Sequence, residues 1–379
     1  MDKERFETFL DLGSSKIRIG VFDIEYPANI FSNDEPFNAN FKIEKFKLSD
    51  SDNKINKLIK NLEKKTNTHL SKINLMLDTP DFVVIHIASK RKFEGRAIFT
   101  KDVKYLLQEL NLLIKKTNSN LKIVHLIVTK IIIDNKEFFS FPDEEVNCDD
   151  LILEAMFICL PNLIIEQITE KFKKKFISIK KIYCSSYLKS YYYKESFSDY
   201  NKKFFFDIGY EKSSLSIYDK NKLISIKFLP LGGNNITKDI SKILKISENE
   251  SEDLKINFSK NNHLSSPPDN LLKQIIFARV DEIINLMFKK INLKNPAYKK
   301  ESSILIFTGE GSKILDKNSI YLNDNFEFFN DINFIEETTS LICESSCKFN
   351  AMENPNEINI IAKKQRKLGF FEKIFSLLK

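Results

Sequence analysis

The sequence predicts an α/β protein of two lobes built on a duplicated core, and three observations carry that reading. The chain has 379 residues, 42% of them hydrophobic; this is too long for one ordinary domain and long enough for two substantial cores. A strand–turn–strand pattern around an Asp-x-Gly step occurs twice, near Asp11 and near Asp207. Seven of the nine glycines fall in four short segments, each after or within a strand-like run. Glycine is needed where φ is positive or where backbone approaches a ligand closely.

The first segment, FLDLGSSKIRIGVF at 9–22, reads as strand, tight turn and strand, with Ile17, Ile19 and Val21 alternating. The second, KFFFDIGYEKSSLSIY at 203–218, repeats that form. The third, LPLGGNNITKDI at 229–240, is a strand end, a glycine pair and a helix start. The fourth, ILIFTGEGSKI at 304–314, is a buried strand running into a glycine turn.

Such turns hold phosphate chains through backbone N–H groups and nearby cations. Gly13, Ser14, Ser15 and Lys16 follow the first strand as candidate contacts to terminal phosphates, and Gly209 holds the matching place in the second copy. Asp11 and Asp207 occupy equivalent positions. Two carboxylates across a cleft suit a hydrated Mg2+, which keeps most of its waters. A helix beginning at Gly232, Gly233 and Asn234 would direct its N-terminus at an anion. Taken singly, each segment reads as a hairpin corner or a turn cap; their order and spacing together favour a ligand cleft.

The remaining composition excludes several classes. The five cysteines are scattered and the four histidines far apart, which reads as reduced thiols and no zinc site. The opening residues lack the order of a secretory signal. No apolar run is long enough to cross a bilayer. The net charge of +7 suits an acidic partner.

Much of that charge sits at 363–379, KKQRKLGFFEKIFSLLK, which carries six cations and one Glu. At helical spacing Leu368, Phe370, Phe371, Ile374, Phe375, Leu377 and Leu378 share one face, with Lys367 and Lys373 beside it. A polar stretch at 350–362, with Pro355, reads as a linker. A basic cluster leading into an apolar, Phe-rich face marks a helix lying in the surface of an anionic membrane. One such helix binds reversibly, because backbone ordering at about 1–2 kcal/mol per residue offsets most of the burial gain. Many on one filament bind firmly.

The order of the four segments over residues 9–314 resembles the actin/sugar-kinase/chaperone ATPase superfamily, and more narrowly the FtsA division-protein family. The 231–240 segment, LGGNNITKDI, is very close to that family's form. The resemblance implies an actin-like ATPase fold: two lobes with duplicated ribonuclease-H-like cores and a small inserted α+β subdomain. The implied division is a first-lobe core at 1–80 and 161–198, an insert at 81–160, a second-lobe core at 199–240 and 304–349, and its small subdomain at 241–303. In the insert, strands at 82–88, 122–133 and 151–159 and a helix at 100–116 are expected; a helix at 271–291 carries Arg279 and Glu282.

The resemblance further implies ATP and Mg2+ as ligands, with Arg279 and Glu282 near ribose and adenine and Gly309, Gly311 and Ser312 in the adenosine loop. Two departures stand out. The second phosphate turn has Tyr210, Glu211 and Lys212 where the family has two glycines and a threonine, and Glu310 replaces a usual glycine. Lys212 is a substitute cation for the phosphates. ATP binding with weak or absent hydrolysis is therefore expected, with Asp207 as the residue for metal positioning. The implied partners are the C-terminal peptide of the tubulin-like polymer FtsZ, docked on 241–303, further copies of the chain in filaments, later division proteins and anionic lipid. The implied place is the inner face of the cytoplasmic membrane at the division site. A small-metabolite kinase of the same fold and a PilM-like pilus-assembly protein are the alternatives. A nucleic-acid binder is disfavoured, since the positive charge lies in the tail and not among exposed aromatics on a folded face.

Overall fold

The computed structural model describes residues 6–23, 25, 28–36, 49–138, 145–260, 267–291, 302–315, 324–351 and 357. The basic amphipathic segment, with Lys367, Leu368, Phe370, Phe371, Lys373, Ile374, Phe375, Leu377 and Leu378, lies outside the described residues.

Two five-stranded sheets share one topology. In the first, β1 (Phe6–Leu12), β2 (Lys16–Asp23) and β3 (Asn29–Pro36) are antiparallel neighbours, and β4 (Lys72–Leu77) and β9 (Ser178–Cys184) extend the sheet in parallel, in the order β3-β2-β1-β4-β9. The second repeats this as β12-β11-β10-β13-β14, from β10 (Lys202–Ile208), β11 (Ser213–Asp219), β12 (Lys222–Leu229), β13 (Ser303–Thr308) and β14 (Asp331–Phe334). The two hairpin corners match in detail. Gly13 N–H donates to Lys16 O at 3.0 Å, and Gly209 N–H to Lys212 O at 2.8 Å. Lys220 and Asn221, at φ 45° and 66°, close the two-residue turn from β11 to β12.

Between β4 and β9 the chain builds a separate unit. Strands β5 (Val83–Ile98), β6 (Leu121–Ile133), β7 (Lys136–Phe138) and β8 (Val146–Pro161) form an antiparallel sheet, order β5-β8-β6-β7. One helix covers it: α2 (Thr100–Thr117), opened by the Asp102 carboxylate accepting from Phe99 N–H at 2.9 Å. Leu106, Leu107, Leu110 and Ile114 recur at helical spacing and bury against Leu153 and Phe157. Strands β5 and β8 run several residues longer than the sequence predicts, pairing from Val83 opposite Cys159 to Ile98 opposite Val146.

The other helices are α1 (Ser49–Thr66), α3 (Asn162–Lys173), α4 (Ser185–Tyr193), α5 (Gly233–Leu244), α6 (Glu248–Lys260), α7 (Pro267–Ile291) and α8 (Thr339–Ala351). One buried cluster, with Ile19, Leu75 and Leu188, runs from the first sheet on to Phe205, Tyr218 and Ile306 of the second; another, with Phe206, Ile284 and Phe307, covers the other face of the second sheet. The sequence division at 304–349 is corrected in one respect. Helix α8 returns to the first lobe, where Ile342 and Phe349 join its core and Cys343 and Cys347 pack on Phe9 and Phe22. The expected linker also contains a fixed point. Glu357 bridges Ile127 of β6, and its carboxylate accepts from His125 Nδ1 at 2.8 Å, with the imidazole wholly buried. His125 Nε2 accepts Cys184 N–H at 3.0 Å, so the proton on Nδ1 faces Glu357.

Candidate functional site

The two Asp-x-Gly corners meet where the lobes face each other. A cavity of about 30 Å3 lies between them, lined by Asp11, Gly13, Ser14, Ser15, Asp78, Asp207, Gly209, Tyr210, Gly309 and Glu310, together with Arg18, Ser185, Lys189 and Glu337. Parallel strands β1, β4, β9, β10 and β13 all end here, the edge of an open sheet where ligands characteristically bind. Of the sequence-predicted residues, Asp11, Gly13, Ser14, Ser15, Asp207, Gly209 and Gly309 line this cavity.

Both predicted metal carboxylates are already committed. Asp11 Oδ2 accepts from Arg18 at 2.9 Å and Oδ1 from Ser185 at 3.0 Å. Asp207 Oδ1 accepts from Lys189 Nζ at 2.9 Å and Thr308 Oγ1 at 3.3 Å, and Oδ2 from Ser186 Oγ at 3.2 Å. Lys189 also bonds Glu337 at 3.2 Å. Burial opposes the Asp207 charge, but Lys189 and Lys212 outweigh it and hold the carboxyl below its ordinary value. Burial wins at Asp11 and Glu337, pushing both upward. Lys189 stays protonated against burial because Asp207 and Glu337 flank it. A hydrated Mg2+ needs free carboxylate oxygen and room for its waters; every oxygen of Asp11 and Asp207 has a protein donor, and a cavity of about 30 Å3 does not hold a full hydration shell. Asp11 and Asp207 as arranged here do not fit that ion.

Lys212 differs from expectation. Its side chain is 1% exposed and its Nζ lies 2.6 Å from both Asp78 Oδ1 and Ser186 Oγ. The part-buried Asp78 carboxylate holds it, and Lys212 does not line the cavity. The start of α5 is likewise occupied. Gly233 N–H donates to Gly209 O at 2.9 Å and Asn234 N–H to Tyr210 O at 2.8 Å, while Gly232 N–H donates to Asn235 Oδ1. A Cβ on Gly232 would meet Gly209 O at 2.5 Å and Tyr210 O at 2.6 Å. The glycine pair therefore lets the helix dock on the second corner, and its dipole is aimed at those carbonyls. Gly309, at φ 86°, sits where a Cβ would meet Asp207 Oδ1 at 2.5 Å. The following 3-10 turn, Glu310–Ile314, contains Gly311, and within it Ser312 Oγ donates to Gly309 O at 2.7 Å.

The mouth is bridged as well. Lys16 reaches Glu310 at 3.2 Å, and Glu211 N–H donates to Ser14 Oγ at 3.2 Å. Arg279 and Glu282 stand apart from this cluster: Arg279 forks onto Asp239 of α5, at 2.5 and 3.0 Å, and pairs with Glu282, and neither lines the cavity. Sequence reading missed Arg18, Asp78, Ser185, Ser186, Lys189 and Glu337. Asp78 and Ser185 directly follow parallel strands, a findable signal; Glu337 comes from a loop and has none.

A family model described as cell division protein FtsA matches residues 205–298. No curated protein matches the chain as a sequence. Among solved structures, the chain is similar to the PilM–PilN type IV pilus biogenesis complex, with a TM-score of 0.65 and 12% identity over 92% of this chain and 99% of that one. It is also similar to ethanolamine utilization protein EutJ from Carboxydothermus hydrogenoformans, at 0.52 and 11% over 91% and 89%. MreB5 of Spiroplasma citri bound to ADP follows at 0.50 and 10% over 91% and 96%. The chain has the actin-like ATPase fold. At these identities the likeness speaks to fold alone.

Proposed function

We propose that this chain is an FtsA-like adaptor, an actin-like protein that takes an adenine nucleotide between its lobes, self-associates, and holds a division polymer to the membrane through 363–379. The observation that carries the reading is the family-model match at 205–298. It falls on the second Asp-x-Gly corner, the glycine pair and α5 to α7. That small subdomain exposes Ile243, Leu254, Ile256 and Leu271, apolar surface of the kind a docked peptide covers. We place the FtsZ C-terminal peptide there, with Arg279 and Glu282 turned toward ribose and adenine once nucleotide is bound.

Nucleotide-sized pockets measure roughly 300–1,000 Å3, so ATP enters only as the lobes part and the Lys16–Glu310 pair breaks. Ser14, Ser15 and the Gly309–Ser312 turn then offer N–H groups to it. Hydrolysis is weak, because Asp11, Asp207 and Glu337 are held by Arg18, Ser185, Ser186, Thr308 and Lys189; the same pairing disfavours a metabolite kinase. The PilM-like reading keeps one support, the likeness spanning 99% of that chain. Filament formation, late division partners and a septal location at the inner membrane face belong to the leading proposal.

The test is co-sedimentation of the full chain and of a chain ending at Asn359 with anionic liposomes, with and without the FtsZ peptide. Lipid binding lost on truncation, with peptide binding retained, supports the adaptor. Equal lipid binding by both forms removes it. Binding of an inner-membrane pilus protein in place of the peptide favours the second reading.

A further inference from the structure

We infer that Lys189 is a resident cation, standing where an actin-like cleft would seat a divalent metal, and that this protein takes its nucleotide without that metal. The second half of the inference rests on the nucleotide reading above; the first half does not.

Helix α4 sets the arrangement. Ser185 and Ser186 open it, and Lys189 lies one turn on, three residues after Ser186, so both side chains share a helix face. Ser186 Oγ and Lys189 Nζ together take both oxygens of Asp207, which belongs to the opposite lobe. Lys189 then reaches Glu337, in the loop leading back to α8. The ammonium thus joins two carboxylates that arrive from different segments, the geometry by which a metal ion bridges ligands. Its side chain is 8% exposed and theirs 7% and 5%. Within the cluster, Asp11, Asp78, Asp207 and Glu337 face Arg18, Lys189 and Lys212. Four negative charges meet three positive ones, so the cleft is close to neutral by its own side chains.

A buried ammonium differs from Mg2+ in what it can do. It attracts carboxylates and phosphates, and so holds the lobes and an anionic ligand together. It has no exchangeable water and cannot polarise a phosphoryl oxygen as a Lewis acid. Metal entry would require expelling Lys189 from two buried carboxylates, which leaves an ammonium without a partner. The protein therefore binds nucleotide as a structural ligand.

The experiment uses the full chain and reads thermal midpoints with Mn2+ alone, then ATP affinity in EDTA and in Mg2+. For the wild type, millimolar Mn2+ leaves the midpoint unmoved and the two ATP affinities agree within about twofold. Lys189→Gln exposes Asp207 and Glu337 to each other, so Mn2+ raises its midpoint by several degrees; Lys189→Arg keeps the cation and stays insensitive. Stabilisation of the wild type by Mn2+, or ATP binding weakened about tenfold by EDTA, overturns the inference. If Lys189→Gln does not fold, Mn2+ titration of the wild type followed by electron paramagnetic resonance decides: an unperturbed free-ion signal supports a resident cation, and a bound signal competed by no other site refutes it. Absence of ATP binding in both media, with the Mn2+ results as expected, defeats the nucleotide reading and leaves Lys189 as the resident cation.

Discussion

Lys16 in the first lobe and Glu310 in the second lie 3.2 Å apart across the mouth of the cleft, each about one-third exposed. Exposed pairs contribute roughly 0–1 kcal/mol. Glu310→Gln is therefore expected to change global stability by less than about 1 kcal/mol while letting the lobes part more often. Hydrogen exchange should quicken at the turns around Gly13 and Gly309. Unchanged exchange at both would mean that the pair does not latch the mouth.

The Lys212–Asp78 pair, whose lysine is buried and whose aspartate is part-buried, should respond differently. Removing one partner of a buried ion pair costs about 3–5 kcal/mol, because the other charge is stranded. Lys212→Met strands Asp78, and urea unfolding should report a loss of that order. Adding Asp78→Asn removes the stranded charge and should recover part of the loss. A double variant as unstable as the single would show that Lys212 acts through packing.

Acid stability should carry opposite signs from the two equivalent aspartates. Asp207 is held below its ordinary 3.8, so the unfolded chain binds its proton first. Its stabilisation is complete above that value and is lost as pH falls through the lower folded value. Asp11 is raised above 3.8, so the folded state binds its proton first, and acidification through that window stabilises. Asp207→Asn should flatten the acid limb of the stability curve, and Asp11→Asn should steepen the decline. Both variants shifting the limb in one direction would contradict the charge arrangement.

Much of the fold is legible in the sequence because glycine is scarce. Gly13, Gly209, Gly232 and Gly309 mark strand ends and corners, and the two Asp-x-Gly corners reveal the duplication. The same scarcity misleads about the site. Gly232 and Gly233 read as a phosphate turn, yet the room they provide is filled by the Gly209 and Tyr210 carbonyls. Lys189 could not be read, since a lysine in a Tyr-rich helix has no periodic or motif signature and its partners come from distant segments. Helix α8 was misassigned because Cys343, Ile342 and Phe349 are apolar for either lobe, and only the chain's path decides which one they cover.

Glu357→Ala should leave the His125 proton without an acceptor in a wholly buried place. The cost is about 1–3 kcal/mol for an unsatisfied buried group. The larger effect should be local, with limited proteolysis cutting sooner after Ala351. Equal cutting rates in wild type and variant would mean that Glu357 does not fasten the chain.

That fastening sets a leash. Lys363 follows Glu357 by six residues, and six residues span at most about 20 Å when fully extended. Wherever the greasy, cationic stretch comes to rest, its first lysine stays within that radius of His125, at the root of the four-stranded insert. A bilayer gripped by that stretch would therefore lie against one flank of the molecule, and a row of such molecules would present their inserts at a fixed height above the lipid.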